Sequence, residues 1–215
     1  MISIEKNIKI KKKIVIFDVD GVLLNSKINM SKSWKSVQKE FGYKDIGFQK
    51  YFDRIGQPFE IILKQLGIEN NFKNIKNSYD KESIRNKNLV KYYPGVIKEL
   101  KILKSLGFVL CIVTSKDRLR TNLLISKTKK YFRLIQCPEK NLKGKPFPDQ
   151  LLKVINKLKV KKKECVYIGD TNFDFLAAKR AKIDFIFATW GYSLNQKYKY
   201  SINKINDLHD ILELV

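Results

Sequence analysis

Asp18 and Asp20 stand two positions apart at the end of the apolar run Ile14-Val15-Ile16-Phe17, and Gly21 follows them. Alternate residues of an extended strand point to the same side, so both carboxylates would meet at the mouth of a sheet. Two adjacent carboxylates repel, and a cation relieves the repulsion. Magnesium takes one or two carboxylates together with waters and phosphate oxygens, which makes this pattern a candidate magnesium-phosphate site. Gly21 lets the chain turn sharply and leaves backbone N–H groups free to face an anion. A solvated turn would use the same residue types, so the motif does not decide alone.

Three further segments carry chemistry of the same kind. Gly169-Asp170-Thr171-Asn172-Phe173-Asp174 ends another apolar run and opens a helix. Asp170 suits a metal shell, and Asp174, one helical turn later, faces the same side. Asp174 also suits simple charge compensation at a helix start. Thr114 and Ser115 end a third run and precede a helix beginning near Asp117; a hydroxyl and backbone N–H groups there suit phosphate oxygens, or an ordinary N-cap. Lys145 sits between Gly144, which frees the backbone, and Pro146, which fixes it, so it is held in place more firmly than a typical surface lysine.

These residues need elements to position them. The runs at 14–17, 108–113, 165–168 and 185–188 are continuously apolar, as strands buried on both faces of a parallel sheet are. Phe132-Arg133-Leu134-Ile135 is a weaker candidate. Helical stripes lie between them: Val96, Leu100, Leu103 and Leu106, closed by Gly107; Leu151, Ile155 and Leu158; Phe175, Ala178 and Ala181. Strand and helix in alternation predict an α/β fold, a Rossmann-like parallel sheet covered on both faces, with ligands at the carboxyl ends of its strands. Residues 27–92 break the alternation. Trp34, Val37 and Phe41, then Ile61, Ile62 and Leu66, repeat at helical spacing, and Pro58 suits the first turn of a helix. The expected organisation is an α/β core of residues 14–26 and 93–215, an inserted helical module over 27–92, and a basic N-terminal arm over 1–13.

Composition narrows the class. The chain has 215 residues, 44% hydrophobic and 30% charged, as folded proteins have. It has no apolar run near the ~20 residues of a membrane span and no apolar leader, so a cytoplasmic protein is expected. Cys111, Cys137 and Cys165 are scattered, and His209 is the only histidine, so zinc, disulfide frameworks and histidine dyads are not indicated. His209 is expected to be solvated. The net charge of +23 comes from lysines spread along the whole chain without a nucleic-acid-binding motif. No nucleic-acid partner is expected from it, although a positive surface attracts an anionic substrate.

Asp18-Val-Asp-Gly-Val-Leu-Leu-Asn-Ser26, Val113-Thr114-Ser115, Lys145-Pro-Phe-Pro-Asp149 and Gly169-Asp-Thr-Asn-Phe-Asp174 occur in the order of the four motifs of haloacid dehalogenase superfamily phosphatases. The chain resembles that family over residues 14–192, and its phosphoglycolate phosphatase-like branch through Pro94-Gly95-Val96 and Ala177-Ala178. The resemblance implies a magnesium-dependent phosphatase acting on a small phosphorylated metabolite, phosphoglycolate-like or a sugar phosphate, as a monomer or homodimer. Asp18 would be the nucleophile and Asp20 the acid and base. Asp18, the Asp20 backbone carbonyl and Asp170 would hold Mg2+, with Asp174 in support. Thr114, Lys145 and backbone N–H groups near Val19 and Ser115 would hold the phosphoryl group. Val22 and Asn25 depart from the family's usual threonine and aspartate, at positions with no expected chemistry, and Lys182 stands where glycine is frequent. Residues 27–92 would be the cap, with Asp53-Arg54-Ile55-Gly56-Gln57 as its substrate-facing loop, Gly56 as the bend and Arg54 reading an anionic leaving group or lying on the surface. A phosphomutase of the β-phosphoglucomutase type is the alternative, weakened by the missing cap-side histidine. A non-catalytic phosphometabolite-binding protein is the second, weakened by the intact acidic residues.

Overall fold

The computed structural model describes residues 12–193 and 198–212. The chain runs through β1 (Ile14–Phe17), the short β2 (Leu24–Asn25) and helices α1 (Lys27–Phe41), α2 (Phe48–Phe52), α3 (Phe59–Gln65) and α4 (Phe72–Arg85). After the short β3 (Lys91–Tyr92), strand and helix alternate: α5 (Val96–Ser105), β4 (Val109–Val113), α6 (Arg118–Leu124), β5 (Phe132–Gln136), α7 (Asp149–Leu158), β6 (Cys165–Gly169), α8 (Asn172–Ala181) and β7 (Asp184–Ala188). The short β8 (Ser201–Ile202) and α9 (Leu208–Ile211) follow.

The sheet has the order β5-β4-β1-β6-β7-β8, and every neighbouring pair is parallel. The apolar strands are therefore buried on both faces. Val15 and Phe17 enter one core with Leu100, Leu103 and Leu208, while Ile14 and Ile16 enter the other with Leu151, Ile155 and Ala178. β5 lies at an edge, which is why its sequence is less apolar than the central strands and most of it is only half-buried. From β1 the chain crosses to β4 on one side and returns to β6 on the other. The loops after β1, β4 and β6 are thereby brought together at one end, where a doubly wound sheet opens its crevice.

Residues of α1–α4 bury a third apolar cluster around Trp34, whose ring stacks on Tyr51 at 4.5 Å and whose Nε1 donates to the Ile46 carbonyl at 2.7 Å. Two connections join this region to the sheet. They pair as an antiparallel ribbon, Leu24 opposite Tyr92 and Asn25 opposite Lys91.

Several sequence expectations are corrected. The basic arm does not extend through residue 13: Lys12 is buried, donates to the Lys163 carbonyl and pairs with Asp184, and Lys13 bonds Glu164 and Val109 through its backbone. Residues 1–11 of that expected arm lie outside the described residues. Pro58 is the N-cap of α3, one position before the helix starts. Ile61, expected in the buried stripe, is 42% exposed, because one face cannot bury both it and Ile62. His209 is half-buried, its Nδ1 2.9 Å from the buried Glu99, which needs a partner for its carboxylate. Lys182 adopts φ 58 as the C-cap of α8, a left-handed conformation that glycine takes without strain.

Candidate active site

Asp18 follows β1 directly, and Gly21 turns the chain three residues later with φ +82. A Cβ at Gly21 would stand 2.0 Å from the Asp170 carboxylate, so only glycine allows the two loops to meet this closely. Asp170 follows β6, next to β1. Its Oδ2 accepts the Tyr192 N–H at 2.7 Å. Asp174 lies in the first turn of α8, where it forms a capping box with Thr171. The helix-start reading of Asp174 is seen in this capping box, and the same side chain also faces Asp18 and Asp170. Oδ2 caps the helix, and Oδ1 accepts the Tyr167 hydroxyl at 2.9 Å and faces Lys145 Nζ at 2.6 Å.

Oxygens of Asp18, Asp170 and Asp174 lie within 4.8 Å of one another, and all three side chains are buried. Lys145 is 2% exposed, with Nζ also 2.9 Å from Asp18. Three carboxylates against one ammonium leave two negative charges in a buried space. Asp18 Oδ1 and Asp170 Oδ1 have no hydrogen-bond partner among the described residues. Buried acceptors without partners are costly, so this cluster suits a divalent cation. Burial pushes the Asp18 carboxyl up to about 7, with Lys145 opposing and Asp174 adding to the rise. Burial, then Asp174 and Asp18, raise Asp170 well above the usual carboxylate range. Lys145 is held above the ordinary lysine range because Asp174 and Asp18 outweigh its burial.

The raised Asp18 has a consequence for stability. Without a metal, the folded protein's Asp18 carboxyl holds a proton that the unfolded chain's has lost between pH 3.8 and about 7. The contribution of Asp18 to stability should therefore fall as pH rises through that window, and a divalent cation among the three carboxylates should remove the dependence. Thermal midpoints of chelated and magnesium-loaded protein measure this. A chelated protein whose midpoint climbs across the window would contradict it.

Asp20 is not part of the acidic cluster. Its carboxylate accepts the Ser26 hydroxyl at 2.6 Å and pairs with Lys116 Nζ at 3.1 Å. Thr114 is buried after β4, and its Oγ1 accepts the Lys116 N–H at 3.2 Å. The Ser115 hydroxyl donates to the Gly56 carbonyl at 2.6 Å, which leaves its backbone N–H, not its side chain, for a phosphate. Gly56, with φ +95, bends the loop against Thr171 and lines a cavity of about 60 Å³ beside Asp20. Arg54 does not line that cavity. Its guanidinium donates to the Lys50 carbonyl one turn back, in an exposed bond, so the surface reading of Arg54 fits its position.

Sequence reasoning missed Lys116 and Tyr167. In a chain with 44 basic residues, Lys116 carried no signal beyond adjacency to Ser115. Tyr167 read as an ordinary strand residue. Its hydroxyl, bonded to both Asp174 and the Val113 carbonyl, ties β6 to β4 beneath the site.

A doubly wound sheet with an acidic cluster and a buried lysine at its carboxyl end defines a class, and a family profile agrees with it. The profile of haloacid dehalogenase-like hydrolases matches residues 15–188, and the chain belongs to that family. Among relatives, a phosphoglycolate phosphatase of Aquifex aeolicus is 27% identical over 94% of this chain and 97% of its own length. A pyrophosphatase, PpaX, of Halalkalibacterium halodurans is 28% identical over 92% of this chain and 95% of its own. A crystal structure described as a haloacid dehalogenase-like hydrolase of Bacteroides fragilis superposes with a TM-score of 0.85 at 26% identity, covering 92% of this chain and all (100%) of that one. The fold and the family thus make the protein a haloacid dehalogenase-like hydrolase. No helix among the described residues is long and apolar enough to cross a membrane.

Proposed function

We propose that the chain hydrolyses a phosphate monoester of a small metabolite through an aspartyl-phosphate on Asp18. The observation that carries this reading is the buried Asp18, fixed between Lys145 and the Asp170–Asp174 pair. An Asp18 oxygen attacks phosphorus, and the bond to the leaving oxygen breaks. Asp20, held outside the cluster by Ser26 and Lys116, gives that oxygen a proton. Asp20 then takes a proton from water, which attacks the phosphoryl group and releases phosphate, restoring Asp18. Lys145, Thr114 and the backbone N–H groups near Val19 and Ser115 hold the phosphoryl oxygens, and fixed positioning of this kind does most of the work in phosphoryl transfer.

Asp18, the Asp20 carbonyl and Asp170 would hold Mg2+, with Asp174 in support. The ion would supply charge neutralisation for the transferring group. The helices of 27–92 serve as a cap that excludes water and shapes the leaving-group space. The cavity beside Asp20, at about 60 Å³, admits only a short segment of the leaving group. A cytoplasmic location and a monomer or homodimer complete the reading. The test is phosphate release from a panel of phosphorylated metabolites. We expect turnover that disappears in excess chelator and returns with magnesium. Full activity in chelator would refute the metal assignment, and no release from any member would refute hydrolysis.

A further inference from the structure

The residues on the far side of Ser115 and Lys145 form a second, larger space. This cleft, of about 640 Å³, runs between α3 on one wall and residues 138–147 on the other, with Gln150 also lining it. Two of the chain's large exposed apolar side chains face into it, Ile61 at 42% and Phe147 at 44% exposed. Exposed apolar groups gathered into one concavity signal a ligand more than scattered ones do. The Phe147 ring is fixed by cations on it, Lys143 Nζ at 4.9 Å and the Arg180 guanidinium at 5.3 Å from its centroid.

Gln150 adds an independent observation. It is 2% exposed, and both its amide nitrogen and its amide oxygen lack a hydrogen-bond partner among the described residues. A buried amide left unpaired is unfavourable, and an occupant offering an acceptor beside a donor would satisfy both atoms. The cleft also continues into the proposed active site. Ser115 and Gln57 line both it and the small cavity beside Asp20, and Lys145 forms part of its wall.

We infer that this cleft is the subsite for the distal part of the leaving group. The group it fits is a flat heteroaromatic ring with an amide-like edge, as nucleobases carry. This inference rests on the phosphatase reading and names its substrate class. The short segment beside Asp20 links the scissile oxygen to a ring lying between Ile61 and Phe147, with its polar edge on Gln150. A purely aliphatic group would leave Gln150 unpaired. A large apolar ring without heteroatoms would do the same.

The experiment compares kcat/KM for uridine 5′-monophosphate, phenyl phosphate and glycerol 2-phosphate, in magnesium, for the wild type, Gln150→Leu and Phe147→Ala. The wild type should prefer the uridine ester. Gln150→Leu should lower kcat/KM for that ester by about tenfold to a hundredfold, mostly through KM, and leave the other two within about twofold. Phe147→Ala should impair the uridine ester and spare glycerol 2-phosphate and phenyl phosphate, whose ring is bonded directly to the scissile oxygen and has no segment to carry it to Phe147. Because the Gln150 amide has no hydrogen-bond partner among the described residues to lose, Gln150→Leu should melt no lower than the wild type. Equal loss on all three esters, no loss on any, or a lower melting temperature for Gln150→Leu would overturn the inference. Hydrolysis of glycerol 2-phosphate without preference for the uridine ester defeats this inference alone. Hydrolysis of other phosphorylated metabolites but of none of these three also defeats this inference alone, whereas release of phosphate from no ester at all defeats the phosphatase reading beneath it.

Discussion

Asp18→Asn should reduce kcat by at least about 10⁴-fold while the protein stays folded, because an amide oxygen cannot form the covalent phosphoryl intermediate. The substitution is nearly isosteric, so neither a cavity nor a clash explains a loss. Its effect on stability separates chemistry from folding. In wild-type protein without metal, the buried Asp18 carboxyl carries a desolvation penalty, and burial pushes it up to about 7. An asparagine there removes the penalty and still offers an oxygen to Lys145, which keeps its 2.6 Å pairing with Asp174. The variant should therefore melt no lower than the wild type in chelator. A companion Asp20→Asn variant isolates the second role. It should lose most activity with poor alkyl leaving groups and less with an aryl ester, whose oxygen needs little proton assistance. Turnover of a few per cent or more in Asp18→Asn would remove the nucleophile assignment, whatever happens to the fold.

Much of this arrangement was legible because the signals were local. Asp18, Thr114 and Asp170 each end a continuously apolar strand, and the pattern of buried parallel strands is written in consecutive residues. What stayed hidden depends on contacts between distant segments. Lys116 meets Asp20 across 96 positions of chain, and Tyr167 reaches Asp174 from a strand whose sequence asks only for burial. Ile61 and Ile62 look alike in sequence, but packing around Trp34 buries one and exposes the other. Arg54 carried a plausible charge on a plausible loop, but a helix offers a nearby acceptor, the Lys50 carbonyl, that no motif encodes. The two-residue strands β2 and β3 are too short to have a pattern. Their pairing is decided by the helices they connect. Charge was equally uninformative: a net +23 says nothing about which lysine is buried, and Lys12 and Lys145 both are.

Lys145→Met should show that the buried lysine is structural and functional at once. Methionine keeps much of the apolar stem, so packing changes little. What goes is the ammonium standing 2.9 Å from Asp18 and 2.6 Å from Asp174. Without it, three carboxylates share one buried space with no compensating charge. Removing one partner of a buried ion pair typically costs about 3–5 kcal/mol. In chelator the variant should be destabilised by an amount of that order, read from denaturant midpoints at unchanged slope. Magnesium should then stabilise the variant more than it stabilises the wild type, since the cation becomes the only positive charge among Asp18, Asp170 and Asp174. Activity should not return with stability. Even at saturating magnesium, kcat should stay down by about 10²–10³-fold, the usual consequence of removing one donor from a transition state's developing charge. The two readouts divide the roles. A variant as stable as the wild type in chelator would mean that the carboxylates do not depend on Lys145 for their charge balance. A variant restored to full turnover by magnesium would place Lys145 among the supports of the metal site and outside the phosphoryl-binding set.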